Sequence, residues 1–457
     1  MTEAATASRF RPDDIWEREK VIRVSNELNA RASCTAVQRE DIFRLDALGV
    51  QWDIGVQIHE PSDGVINSGA DGKKVGVFLL HGGAGDFKSM ERLSTLFVEK
   101  FRYKVVVMTF PGRLYLDDPS RDWPGDTIKE DGTVRTPIWL KGEHVTPDQY
   151  ELVRDASKRM KYGIRTHARA KPGTRFYDRM ASWPVAFEEG MKTACRRQFP
   201  EGEYSIYVHG HSTGGPYVSM LTQRVPNIAG VLAIENSTFG YVNERKHQWG
   251  GHVGRIEGYE AVAKKTDESW KDPFNDLYIR TWRDLARYRG PEALGQEGPN
   301  ALMRLPWLME EILEAWDVAK KRPQFKAEYM ITHNIVGALE SAARASAKRL
   351  GMSAAEEQKL VAHYIGYTRE LRGPGVKPVP PYLFVIAKDS RDHNPAVYRE
   401  VILPMFAEMN PAPRTHVTRF MAGVHTYTKP EQDLPMGIAP AAAHYFNDAI
   451  TGGYFIV

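Results

Sequence analysis

The sequence predicts an α/β fold with a mostly parallel sheet flanked by helices, and three observations carry that expectation. Apolar runs at 74–80 (KVGVFLL), 103–110 (YKVVVMTF), 204–209, 230–235 (GVLAIE) and 382–389 (YLFVIAKD) are continuous rather than alternating. Such runs suit strands buried on both faces. Helical stretches at 89–101, 176–198 and 216–225 separate these runs, and alternation of that kind implies right-handed crossovers between parallel strands. Finally, HGHSTGG (209–215) puts a serine at an abrupt junction between a strand and a helix.

In chain order, 13–30 reads as an amphipathic helix. Partial alternation over 39–61, with a turn near Leu48-Gly49, reads as a β-hairpin. The buried strand at 74–80 ends in HGGAG, and the one at 103–110 ends at Pro111-Gly112. Residues 113–175 break the rhythm, with Asp117, Asp118, Asp122 and Asp126 early and Arg154, Lys158, Arg159 and Lys161 late. Turn signals such as Asp131-Gly132 mark this stretch as an irregular insertion.

Residues 243–373 read as helical. Leu305, Leu308, Met309, Ile312, Leu313 and Trp316 share one face. Gly351 suits a helix C-cap, and Ser353 with Glu356 suits a capping box. Trp249, Trp270, Trp282, Trp307 and Trp316 all fall in this region, which favours a packed helical subdomain. A strand at 382–389, a helix at 395–406 that contains Pro404, a strand at 416–424 and a helix at 438–450 complete the chain. The expected organisation is an N-terminal helical extension (1–38), a first core part (39–238) with the 113–175 insertion, a helical cap (239–375) and a second core part (376–457).

With 42% hydrophobic and 26% charged residues in 457, the chain has ordinary globular composition. A net charge of +3, spread along the chain, gives no reason to expect a nucleic-acid partner. Cys34 and Cys195 make no disulfide framework or metal spacing, which fits a reducing compartment. The segment MTEAATASRFRPDDIW lacks an apolar signal core, and no apolar run approaches the length of a membrane span. The expectation is a cytoplasmic protein with no membrane partner, acting on a small-molecule substrate. A homodimer through the N-terminal helix is left open.

The serine turn has a physical logic. A side chain presented at the top of a parallel sheet needs a sharp strand-to-helix turn, and bulky neighbours two places away collide there. Gly210-His211-Ser212-Thr213-Gly214 meets that need as a nucleophile elbow. A serine hydroxyl then requires a base, a group to orient the base, and donors for an oxyanion. The glycines of HGGAG let backbone N–H groups approach developing charge, so Gly83 and Ala84 are candidate donors, with Thr213 N–H as the second.

With these motifs the chain resembles the α/β-hydrolases. HGGAG resembles the oxyanion-hole motif of esterases and lipases, GHSTGG their elbow, and TFPGR (109–113) their Pro-Gly loop. The resemblance covers roughly 74–112, 176–238 and 380–457. It implies a base after the last strand, where His425 stands, whereas His416 opens that strand at its wrong end. It implies an acid after the preceding strand, and Asp392 is the leading candidate. Asp389 is an alternative there, and Glu235 another, because some members take the acid from the strand after the nucleophile helix. A nucleophilic serine argues against the dehalogenases and epoxide hydrolases of this fold, which use an aspartate.

The reaction so implied is hydrolysis of a medium-sized, apolar or aromatic ester, lactone or amide through an acyl-enzyme. A non-hydrolytic lyase or acyltransferase, or an idle binding protein, is the alternative. No cofactor is expected, and His247 and His252 match no metal-ligand spacing.

Overall fold

The computed structural model describes residues 9–82, 86–115, 141, 143, 145–160, 163–212, 214–235, 312, 314–326, 344, 347–348, 351–370, 377–390, 398, 403–407 and 411–457. The elements run β1 (Ile15–Trp16), α1 (Arg18–Ala30), β2 (Ala36–Ala47), β3 (Val50–Pro61), β4 (Lys74–Leu80), α2 (Glu91–Phe101), β5 (Lys104–Met108), β6 (Tyr150–Met160), β7 (Gly163–Ala170), α3 (Arg175–Gln198), β8 (Tyr204–Gly210) and α4 (Gly214–Leu221). They continue with β9 (Ile228–Ile234), α5 (Ala354–Glu370), β10 (Tyr382–Asp389), α6 (Leu403–Ala407), β11 (Thr415–Val424) and α7 (Ala439–Thr451).

Among the described residues the main sheet has nine strands, in the order β1-β11-β10-β9-β8-β4-β5-β3-β2. The pairs from β5 through β11, and β11 with β1, are parallel. The β2–β3 hairpin and the β3–β5 pair are antiparallel. The sheet is therefore mostly parallel, as the sequence predicts. Leu48 and Gly49 both take left-handed φ in the two-residue hairpin turn, a geometry that matches the strand twist.

Alternate residues of the central strands feed two apolar cores. Phe78, Leu80, Val106, Val208 and Phe384 face one core, which is shared with α3 and α4. Val75, Val77, Leu79, Val105, Val107 and Val385 face the other, which is shared with α1, α2 and α7. Burial on both faces explains the unbroken apolar runs. The apolar face of α1 (Val21, Val24, Leu28) is taken up within this second core.

Local readings differ in three places. The helix expected over 13–30 begins only at Arg18, because Ile15 and Trp16 pair with Arg419 and Phe420 as a short edge strand. Trp16 stacks on Phe420 with ring centroids 4.7 Å apart, and this contact prevails over local helix propensity. The insertion expected to be irregular carries the β6–β7 hairpin, with a register shift between Asp155 and Arg159. The charged run there obscures the period-two signal. Helix α4 also starts at Gly214 rather than 216, and Pro216 sits within its first turn, where a missing N–H is tolerated.

Of the expected helical face, Ile312 and Trp316 are described and buried, whereas Leu305, Leu308, Met309 and Leu313 lie outside the described residues. Trp249, Trp270, Trp282, Trp307, His247 and His252 lie outside them as well. The capping box forms: Ser353 N–H donates to Glu356 Oε2 at 2.9 Å and Glu356 N–H to Ser353 Oγ at 3.3 Å. Among the described residues no helix is long and apolar enough to cross a membrane.

Candidate active site

Strand order creates the site. The chain runs from β4 to β5 on one side and later returns to β8 on the other, so the loops leaving β4 and β8 diverge. A crevice opens at the carboxyl ends of strands at such a reversal. The two strands are in register, with Leu80 opposite Gly210. The start of HGGAG and the serine turn therefore stand side by side.

The turn is built by close backbone packing. His211 N–H donates to Leu80 O at 3.0 Å, Gly214 N–H to His211 O at 2.9 Å and Gly215 N–H to Ser212 O at 2.9 Å. A Cβ on Gly214 would lie 2.6 Å from His81 O and 2.8 Å from Leu80 O. One on Gly210 would lie 2.6 Å from Val218 Cγ2 and nearer still to Gly214 O. Ser212, at the apex, is held at φ 52°, a left-handed conformation that costs a non-glycine residue roughly 1–2 kcal/mol. It is buried.

The loop after β4 abuts this apex, since a Cβ on Gly82 would sit 3.4 Å from Ser212 Cβ. His81 anchors that loop. Its Nδ1 lies 2.7 Å from Gly82 O and Nε2 accepts Phe110 N–H at 3.2 Å. This pattern fixes the neutral tautomer with the proton on Nδ1. Burial, helped by Arg113, lowers its pKa to about 3. The ring also stacks on Phe110 at 3.9 Å, so one neutral imidazole ties HGGAG to the Pro-Gly loop. Gly83, Ala84 and Thr213 lie outside the described residues.

His425 follows β11 and is buried. Its Nδ1 lies 3.2 Å from Glu235 Oε2. Glu235 immediately follows β9, is 1% exposed and also takes a left-handed φ of 49°. Its Oε1 accepts Ala387 N–H at 2.7 Å, and its Oε2 accepts the Ser390 hydroxyl at 2.6 Å. Ser212 N–H donates to Glu235 O at 3.2 Å. Asp389, the alternative at the end of β10, is exposed. Asp392 lies outside the described residues. His416 sits at the opposite end of β11, near Asp14.

Three contributors were not singled out from the sequence. His211 stacks on His425 with ring centroids 5.1 Å apart, and its Nε2–H donates to His425 O at 3.2 Å. Burial and the neighbouring His425 lower its pKa to about 3, so it is a neutral strut between the serine turn and the histidine loop. The other two are His81 and Ser390. A histidine directly before the serine, in HGHS, is a signal for the first; nothing local marks Ser390.

A mostly parallel sheet entered by an antiparallel hairpin, with a serine held at a left-handed turn after a central strand and a glycine loop beside it, is the α/β-hydrolase fold. No family model matches the chain, and no curated protein matches it. Solved structures similar to it include fungal esterases from Rhizomucor miehei (11% identity, covering 96% of this chain and 90% of that one, TM-score 0.36). A thermostable esterase from Pseudomonas putida is another (11% identity, 95% and 89% covered, TM-score 0.33). So is a lipase in an open form (8% identity, 90% and 99% covered, TM-score 0.36). Likenesses this distant carry no weight for activity, and the class rests on the chain's own sheet order and turn.

Proposed function

We propose that the chain is a serine hydrolase acting through Ser212, His425 and Glu235. The observation that carries the reading is the buried Glu235–His425 hydrogen bond beside a strained serine turn. Two non-glycine residues in left-handed conformations, joined by a backbone hydrogen bond, are the kind of strain that gathers at functional sites. The order serine, acid, histidine along the chain matches that of this fold.

In the proposed mechanism Glu235 holds the Nδ1–H tautomer of His425. The opposite nitrogen takes the Ser212 proton as the hydroxyl attacks a carbonyl. The oxyanion is met by the N–H groups of Thr213 and of Gly83 or Ala84, and the proton then passes to the leaving group. Water repeats the sequence to release the acyl group. Residues 239–375 act as a cap that limits access to medium-sized esters, lactones or amides of apolar or aromatic character. Burial of Ile312 and Trp316 in the α3-side core, and the 2.7 Å ion pair of Glu314 with Arg169 on β7, support packing of this segment against the insertion.

Fluorophosphonate labelling tests the serine, and turnover of p-nitrophenyl acetate tests the acid. Wild-type protein should label and S212A should not. E235Q should lose about 10⁴-fold in turnover, while D389N and D392N stay near wild type. Absence of wild-type labelling would return the chain to the binding-protein reading. An E235Q variant of normal turnover would remove Glu235 from the triad.

A further inference from the structure

A carboxylate that orients a catalytic imidazole must itself be held still. Glutamate is poorly suited to this, because its terminal torsion is broad and nearly free. Glu235 stands at the tip of β9, yet two of its hydrogen-bond donors come from the neighbouring tip of β10. Ala387 N–H meets Oε1 at 2.7 Å, and the Ser390 hydroxyl meets Oε2 at 2.6 Å. Ser390 is itself buried, and its own N–H turns back toward Ala387 O at 3.4 Å.

We propose that Ser390 is a positioning residue of the triad: its hydroxyl, paired with Ala387 N–H on the opposite oxygen, fixes the plane of the Glu235 carboxylate against His425 Nδ1. This rests on the reading of Glu235 as the acid. One donor on each oxygen, both from one strand end, stops rotation about the terminal bond. Oε2 is left with capacity for His425 at 3.2 Å. The end of β10, where an acid was expected, thus supplies donors to an acid that reaches it from β9.

Two consequences follow for S390A. The carboxylate regains its rotation, so the imidazole is less often aligned. Hydrogen bonds to charged groups set the scale, and a fall in kcat of about tenfold or more is expected with KM little changed. Oε2 also loses a competing donor. Its charge then bears more fully on the imidazolium, and the acidic limb of kcat/KM moves to higher pH. A purely structural serine would lower the active fraction and leave that limb in place.

The experiment measures p-nitrophenyl acetate hydrolysis against pH for wild type, S390A, S390T and E235Q, each normalised to sites titrated by fluorophosphonate. The proposal expects the S390A loss and limb shift, and substantial recovery in S390T, which keeps a hydroxyl. Unchanged kcat and an unshifted limb in S390A overturn it, as does a loss that S390T repeats in full. An inactive E235Q beside an unaffected S390A removes the positioning role alone. Normal turnover in E235Q removes the acid, and the positioning role with it.

Discussion

Ser212 and Gly214 are two residues apart and answer to opposite constraints. Ser212 must carry a side chain despite φ 52°, whereas Gly214 can carry none, since its Cβ would press on the His81 and Leu80 carbonyls at 2.6 and 2.8 Å. Those contacts are backbone and cannot swing aside. Gly214→Ala should therefore destabilise the protein by roughly 1–3 kcal/mol, as overpacking does. It should also abolish fluorophosphonate labelling even in the folded fraction. A G214A protein that melts and labels like wild type would show that the elbow does not need this approach. The need for glycine here was legible in the sequence from the strand-to-helix junction alone. Which carboxylate meets His425 was not, because Glu235 follows β9, Asp389 ends β10 and Asp392 comes after it in sequence, and the ends of these strands come together only once the sheet is assembled.

At the scale of elements, α3 and the chain just after α4 are joined by an ion pair sealed from water. Glu188 and Arg224 have side chains 0% and 2% exposed and bond directly to one another. Removing one member of a buried pair is far more costly than replacing both. Glu188→Ala should lower unfolding free energy by about 3–5 kcal/mol, and E188M combined with R224M should recover most of that. Denaturant melts of both variants check this, and a double variant no better than the single one would refute it. Most element types were readable from pattern, because buried parallel strands show as unbroken apolar runs. The β6–β7 hairpin was not. It forms a separate two-stranded sheet in a charged segment, where no apolar alternation signals it.

The whole molecule carries several histidines in places that exclude charge. Burial lowers the pKa of His81 to about 3 and that of His209 to about 4, and it moves His59 and His211 the same way. In the unfolded chain each takes up its proton near 6.5. Below that pH the unfolded state binds more protons, so stability is complete above about 6.5 and is lost as pH falls toward the folded values. His81 and His209 alone contribute up to about 1.4 kcal/mol each per pH unit over that window. Against a total stability of about 5–15 kcal/mol, that is a large loss by pH 4. Thermal melts should be level above pH 7 and fall steeply from 6.5 downward. A level Tm from pH 7 to 5 would contradict this reading of the buried imidazoles.

By itself the sequence determined the layered α/β architecture, the serine turn and the histidine after the last core strand. Each of these is written in a local pattern: an apolar run, two glycines around a serine, a position along the chain. Only the tertiary structure decided which carboxylate meets His425, and that His211 and Ser390 hydrogen-bond to the pair. Those choices depend on strands β9, β10 and β11 lying side by side. Hydrogen bonds between groups 152–214 residues apart leave no periodicity along the chain from which to read them.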